Sequence, residues 1–299
     1  MEENIKFIYE DIINATSNSN DLLEELKGIK GPSIIIGNGG SEVVATFLAK
    51  VLSKKNHLIT SVHDSCNLSS LELSNYENII IASYSGTNHG VKNVFNYNLK
   101  KYMLTTRLTP IDDETILTYH MEHRKSFISL NQTIVPMSVI LKYYLGDIFD
   151  EIIEDIFKLV DKTINYELGN VTNIFTDYKT LTTSVFLEST LAESGISIPI
   201  THSKYNYCHG RSTINKDHNY DSIYLINNKK DIDDILLSIL NKKIILEGTF
   251  QDEIVNDFFL TLQAIYLLCN IAKSKNIDLS KIDYDKQVVK KLYYFKGSM

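Results

Sequence analysis

The sequence predicts an α/β protein built as two tandem, doubly wound, flavodoxin-like parallel-sheet domains, residues 1–150 and 151–299. Three observations predict it. Short apolar runs such as Ser33-Ile34-Ile35-Ile36 and Asn78-Ile79-Ile80-Ile81-Ala82 alternate with helix-length amphipathic segments, the pattern of a parallel sheet with helices on both faces. Two of these runs end in turns of Gly, Ser, Thr and Asn, at the strand ends where open α/β sheets take their ligands. After about residue 168 the alternation begins again, without a second Gly-x-Gly or Ser-x-Ser-Gly turn.

In chain order, residues from about Glu3 to Leu26 place Ile5, Ile8, Ile12 and Ile13 at helical spacing, broken by Ser19-Asn20-Asp21, so one or two amphipathic helices open the chain. Ser33–Ile36 is a strand that ends in Gly37-Asn38-Gly39-Gly40-Ser41, and a helix follows from Glu42 to about Ser53. Leu58–His63, Asn78–Ala82 and Lys101–Thr106 are further strands, with a helix predicted from Val91 to Lys101. Lys125–Thr133 leads into a helix through Tyr144, with Pro136 inside it as a kink or a mark of a later start. Gly146 to about Leu168 reads as one long acidic helix bridging the halves. The second half then offers strands at Asn170–Phe175, Ser197–Ile200, Asp221–Ile226 and Lys242–Leu246, and helices at Thr180–Ser194 and Asp257–Lys273.

A length of 299 residues accommodates two domains with ample core. The formal charge of -7 argues against a general nucleic-acid binder, which would carry a basic face. No run approaches the roughly 18 consecutive apolar residues of a membrane span, and Met1-Glu2-Glu3-Asn4 is not a basic signal-peptide start. A cytoplasmic protein without nucleic-acid or membrane partners is the expectation. Cys66, Cys208 and Cys269 are odd in number, widely spaced and free of any CxxC pair, so they read as reduced thiols rather than as a disulfide or zinc framework.

Ser83-Tyr84-Ser85-Gly86-Thr87-Asn88 carries the sharpest chemistry. Small hydroxyl and amide side chains gather there at a strand-to-helix turn, where free backbone N–H groups favour an anion. Neither Lys nor Arg occurs in the stretch, so it is not a P-loop. An ordinary βα turn with Thr87 or Asn88 as N-cap is the plain alternative. Gly37-Asn38-Gly39-Gly40-Ser41 lacks the third glycine of the dinucleotide fingerprint, although Asp64 stands near the expected acidic position. Tyr119-His120-Met121-Glu122-His123 lacks the H-E-x-x-H spacing of a zinc site and reads as a polar loop. No G-x-S-x-G elbow is present for a nucleophilic serine.

In order along nearly the whole chain, these motifs resemble the double sugar-isomerase (SIS) domain family. That family includes the isomerase half of glucosamine-6-phosphate synthase, phosphoglucose/phosphomannose isomerases and fructoselysine-6-phosphate deglycases. Gly37–Ser41, with Gly39 and Ser41 as binding residues, is similar to its first glycine-rich loop. Ser83–Asn88 is similar to its S-x-S-G-E-T phosphate loop, which implies phosphate contacts from Ser83, Tyr84, Ser85 and Asn88, with Thr87 where the family has glutamate. Ser126-Phe127-Ile128-Ser129 resembles S-V-A-S, which implies that Ser129 and the Phe127 backbone lie along the substrate. Glu193, sixteen residues before His209-Gly210, resembles the catalytic glutamate and His-Gly pair. Asp283 to Lys290 resembles the tail bearing the catalytic lysine, with Lys290 favoured and Lys291 as its rival. Three departures stand out: Thr190 occupies a synthase lysine position, Arg211-Ser212 follows His209-Gly210 in place of proline, and residue 1 is neither a nucleophilic cysteine nor preceded by a glutamine-hydrolysing domain.

The resemblance implies an isomerase or deglycase acting on a hexose 6-phosphate, possibly amino-substituted, by proton transfer between C1 and C2. Such chemistry needs a base over those carbons, a role for Glu193, and an acid-base group at the ring oxygen, a role for His209. Lys290 would stabilise charge on the oxygens. No metal or cofactor is needed. His89 and Arg211 are additional candidates for an anion or hydroxyl contact, and the space left beside Thr190 is compatible with a deglycase. In relatives the histidine crosses from a neighbouring subunit, so a homodimer is expected. Each of these residues also has a plain reading: Glu193 as a solvated helix face, His209 as a loop histidine, Lys290 and Lys291 as edge charges. A noncatalytic phosphosugar sensor is the alternative function.

Overall fold

A computed structural model of the chain describes residues 5–111, 113–122, 126–128, 130–215, 220–240, 242–281 and 287. They form two compact units, one from Glu2–Lys125 with Ser129–Phe149, the other from Asp150–Ile282 with Ser126–Ile128.

The first unit runs α1 (Ile8–Ser17), α2 (Asn20–Gly28), β1 (Ser33–Ile36), α3 (Gly40–Asn56), β2 (Thr60–His63), β3 (Asn78–Ala82), α4 (His89–Val94), β4 (Lys100–Thr105), β5 (Thr115–Thr118) and α5 (Leu130–Leu145). Its five strands pair in parallel in the order β2-β1-β3-β4-β5, the flavodoxin-like order. The alternation of strand side chains explains the double winding. Register places Ile34 beside Ile79 and Ile36 beside Ile81, with Met103 next to Ile81, and this face packs on Val91 and Val94 of α4 and on Leu68. The intervening Ile35, Ile80, Tyr102 and Leu104 are equally buried and face the other way, the side covered by α3 and its neighbours α1 and α5.

The second unit holds α6 (Phe149–Leu159), β6 (Val171–Phe175), α7 (Leu181–Glu193), β7 (Ile198–His202), α8 (Lys204–Cys208), β8 (Asp221–Ile226), α9 (Asp234–Ile239), β9 (Lys242–Glu247) and α10 (Glu253–Ser274). Four parallel strands pair as β7-β6-β8-β9. Phe175, Tyr207, Tyr224, Ile226, Leu236 and Leu240 form the core on one face. Helix α10 is long and apolar enough to cross a membrane by composition, but 94% of its most apolar window is buried inside the protein, so it serves as the core helix. Asn256, Asp257 and Thr261 are polar groups buried within it, each hydrogen-bonded.

Strand β5 and the short helices α8 and α9 were not expected from the sequence, and two expected helices end well short of their predicted bounds. The helix expected over Val91–Lys101 stops at Val94, and Phe95, Asn96 and Tyr97 tighten into three-residue turns. Asn96 and Asn98 favour turns, and the pairing of Lys100 with Asn78 draws the next residues into β4. The helix expected over Gly146–Leu168 begins as a 3-10 turn and ends at Leu159. Just beyond, the Asp161 carboxylate accepts from the N–H and hydroxyl of Thr163, while Gln263 clamps both main-chain groups of Asp161 and Asn270 takes the carbonyls of Lys162 and Ile164. With its backbone satisfied this way, the chain has no need to stay helical. Helix α5, by contrast, continues through Pro136.

Candidate functional site

In the first sheet the chain turns to opposite sides after β1 and after β3, so these neighbouring strands form the topological switch point, the crevice where open α/β sheets bind ligands. The two turns singled out in the sequence follow those two strands. Gly90 shows how closely they converge: a methyl group there would lie 2.6 Å from Asn38 Oδ1, 2.7 Å from Ser65 Oγ and 3.0 Å from Asn88 Oδ1. The loops after β1, β2 and β3 therefore meet at one point.

Within Ser83–Asn88 the side chains divide into a brace and an open face. Ser83 is buried, and its Oγ accepts from the Gly86 N–H at 3.1 Å and from Asn88 Nδ2 at 3.5 Å. Asn88 is also buried and caps α4 by accepting the Val91 N–H at 2.9 Å. The plain reading of the turn thus holds for Asn88, which is the N-cap. Ser85 is exposed, and its hydroxyl lies 2.7 Å from that of Thr87, so these two present oxygen and hydrogen outward. The Tyr84 carbonyl is tied to the Thr105 and Thr106 hydroxyls, and burial raises the pKa of its phenol, which stays a neutral donor. His89, half-buried, opens α4. Because α4 is only six residues long, its dipole is weak, and the outward polar groups of the turn are the Ser85 and Thr87 hydroxyls.

Gly39 is the N-cap residue of α3 and Ser41 lies half-buried in its first turn. Gly37 admits no side chain, since a Cβ there would strike the backbone carbonyl of Ser41. Asp64 caps the 3-10 turn after β2, and the Cys66 N–H hydrogen bond holds its carboxyl below the ordinary range. That carboxylate is committed to the turn, which removes the acidic ribose partner a dinucleotide site would use.

In the second unit Glu193 is the last residue of α7, accepting the Ser189 hydroxyl at 2.8 Å. Solvent reaches it, yet the protein packed around the carboxyl desolvates it and raises its pKa, against the lowering effect of Ser189. Desolvation makes it more basic than an ordinary glutamate. His209 ends α8 and is exposed, with Gly210 and Arg211 beyond it. Glu193 precedes β7, whose first residue bonds Asn170 ahead of β6, whereas His209 follows the far end, where the His202 carbonyl accepts Thr176 N–H. The two therefore stand at opposite edges of this sheet, roughly 15 Å apart by strand length alone.

Other expected residues fall as follows. Phe127 is partly exposed, but its N–H is already donated to the Ser280 carbonyl at 3.3 Å, which leaves no N–H for a ligand. Thr190 is buried, and its hydroxyl bonds the Phe186 carbonyl one turn back. Ser129, Lys290 and Lys291 lie outside the described residues, as does His123. His120, Met121 and Glu122, with Asp11, Asn14 and Asn18, line a cavity of about 260 Å³ that shares no residue with the Ser83–Asn88 turn. No metal-binding cluster of His, Cys, Asp and Glu occurs among the described residues.

In the second sheet the corresponding switch point lies between β6 and β8, and Asn256 ties the loops after β8 and β9 together. Asn256 Nδ2 bonds the Asn227 carbonyl at 2.9 Å, its Oδ1 accepts the Phe250 N–H at 2.7 Å, and Asp177 caps the turn after β6. Sequence reading also missed His202, at the end of β7. It is buried against Phe175 and Tyr207, with Nε2 bonded to Asn173 Oδ1 at 2.9 Å and Nδ1 without a partner among the described residues. Burial, and then the charge of Arg211, lowers its pKa. The unfolded chain takes up this proton near pH 6.5 while the folded one resists, so stability is fully present above about 6.5 and is lost as pH falls towards the depressed value. Melting temperature should therefore drop from pH 7.5 to 5 more steeply in the parent protein than in His202→Gln, and equal slopes would rule this histidine out as the cause.

No family model matches this sequence, and no curated protein does. The fold is nonetheless that of sugar-isomerase (SIS) domain proteins, with five- and four-stranded parallel sheets. Among solved structures it is similar to tagatose-6-phosphate ketose/aldose isomerase from Escherichia coli, with a TM-score of 0.72 and 12% identity over 96% of each chain. It is also similar to the C-terminal domain of glucosamine-fructose-6-phosphate aminotransferase from Francisella tularensis, with a TM-score of 0.65 and 14% identity over 94% of this chain and 97% of that one. Glucosamine-6-phosphate deaminase from Thermotoga maritima gives 0.63 and 14% over 93% and 97%. At these identities the likeness is one of fold.

Proposed function

We propose that this protein belongs to the SIS family and is a phosphosugar isomerase or deglycase that moves a proton between C1 and C2 of a hexose 6-phosphate. One observation carries the reading: the loops after β1, β2 and β3 converge at the switch point of the first sheet, which is flanked by the glycine-rich turn after β1 and the Ser/Thr turn after β3. The names of the three structural relatives share a 6-phosphorylated sugar.

In this reading Ser85 and Thr87 hold the phosphate, and Ser83 and Asn88 keep the turn in shape. Glu193 is the base for the C1 and C2 protons, its basicity increased by desolvation. His209 exchanges the ring-oxygen proton, and Lys290 steadies the enediol oxygens. One substrate cannot reach Glu193 and His209 of a single chain across the length of β7, which supports a homodimer in which His209 is supplied by a second copy.

The test is to offer fructose 6-phosphate, glucosamine 6-phosphate and fructosamine 6-phosphates and follow both turnover and melting temperature. Turnover of one of them is the expected result. A rise in melting temperature without turnover would replace the enzyme reading with that of a noncatalytic sensor, and no response of either kind would remove both.

A further inference from the structure

The Ser83–Asn88 turn holds no cation, and hydroxyl groups alone neutralise a phosphate dianion poorly. The tertiary structure brings one from the neighbouring strand. Past the end of β4 the chain keeps in step with the turn, with the Ser83 N–H on the Leu104 carbonyl at 3.0 Å and the Thr106 N–H on the Tyr84 carbonyl at 3.3 Å. Arg107 comes next, and its side chain lies across Gly86: a methyl group on Gly86 would fall 2.7 Å from Arg107 Cδ and 3.1 Å from Met103 Sδ. Gly86 has φ of +65°, a conformation natural to glycine, so the residue both makes the turn and leaves room for the arginine.

Among the described residues the arginine is held by its backbone, and its guanidinium has no carboxylate partner. Its N–H bonds Thr105 Oγ1 at 3.3 Å and its carbonyl accepts the Thr118 hydroxyl. The guanidinium has only a long contact from Nε to the Thr109 carbonyl, 3.4 Å, and its terminal nitrogens have no hydrogen bond or carboxylate partner among the described residues. Nearby Lys101, by comparison, is paired with Asp113 at 2.7 Å. The sequence sharpens the contrast. The chain carries 37 acidic residues, yet none lies between Glu77 and Asp112, a stretch that contains Lys92, Lys100, Lys101 and Arg107. Of the acidic residues that follow on the same loop, Asp113 is paired with Lys101 and the Glu114 carboxylate accepts the Ile111 N–H, so among the described residues the half-buried arginine keeps its fork open for an oxyanion from elsewhere, the two-pronged geometry a phosphate monoester fits best.

The geometry points to Arg107 as the charge-neutralising residue of the phosphate site, reaching the anion from the β4 side across Gly86 while Ser85 and Thr87 bond it from the turn. This rests on the reading of that turn as a phosphate loop. Arg107 makes the site select a charged sugar phosphate over the neutral sugar, which hydroxyls alone discriminate weakly.

The experiment measures calorimetric affinity for fructose 6-phosphate, glucosamine 6-phosphate and inorganic phosphate in the parent protein, Arg107→Gln, Arg107→Lys and Ser85→Ala, at two salt concentrations. Unliganded melting temperatures check that each variant folds. Arg107→Gln should bind whichever phosphate the parent binds about 10- to 100-fold more weakly, with a flatter dependence on salt, and Arg107→Lys should fall between the two. If Ser85→Ala weakens binding while Arg107→Gln leaves it unchanged, the loop reading stands and the role of Arg107 is overturned. A folded Arg107→Lys no better than Arg107→Gln would likewise exclude charge as its contribution. A parent protein that binds none of the three probes would overturn the loop reading, and this inference with it.

Discussion

Glu193→Gln is expected to lower turnover of the sugar phosphate about a thousand-fold while changing substrate affinity little. Glutamine keeps the size and the Ser189 contact of the side chain but cannot take a proton from carbon. The same residue sets the acid limb of the pH profile. Desolvation raises its pKa, so the base is lost to protonation at a pH above the ordinary glutamate range, and kcat/KM should fall with acidification earlier than an unshifted glutamate would allow. Mixing supplies the decisive arm. Glu193→Gln and His209→Ala chains, each inactive alone, form heterodimers with one complete site when histidine is supplied in trans, and random exchange then restores about a quarter of parental activity. Activity that stays at the level of the single variants after subunit exchange would show that each chain builds its own site. A Glu193→Gln protein with near-parental turnover would remove Glu193 from the chemistry altogether.

Asp257→Ala is expected to destabilise the second unit by about 3 kcal/mol. Asp257 is fully buried in α10, and its carboxylate accepts the backbone N–H groups of Thr182 and Thr183 at 3.2 and 3.0 Å and the Thr183 hydroxyl at 2.9 Å. Those amides belong to the first turn of α7, whose own N-cap residue, Thr180, makes no side-chain cap. The aspartate thus acts as a cap supplied from another helix, with its charge at the positive end of α7. Truncation strands buried donors, whereas Asp257→Asn keeps an acceptor and should lose about 1 kcal/mol. Denaturant midpoints measure both. A loss under about 0.5 kcal/mol for the alanine variant would mean that water replaces the carboxylate there.

These two residues also mark how far the sequence could be read. Glu193 was singled out by a spacing to His209-Gly210 that resembles a family pattern, and the structure adds that its surroundings raise its pKa. Asp257 looked like an ordinary residue near the start of an apolar helix. Its role depends on Thr182 and Thr183, more than seventy positions away. Arg107 was overlooked for the same reason, since the turn was judged by the residues inside it and its cation arrives from the next strand.

What the sequence determined by itself is eight of the nine strands, all but β5, and the polar turns at their ends. Asn78–Ala82 and Asp221–Ile226 came out with the expected bounds because a β-branched run closed by small polar residues has few local alternatives, and alternating such runs with helices leaves a parallel sheet as the way to bury both. Only the tertiary structure decided where α4 and α6 stop, and which distant side chains cap a helix or tie loops together. Those outcomes turn on hydrogen bonds and charges between segments far apart in the chain, such as Asn256 with Asn227 and Arg107 over Gly86, and hydrophobic periodicity carries no record of them.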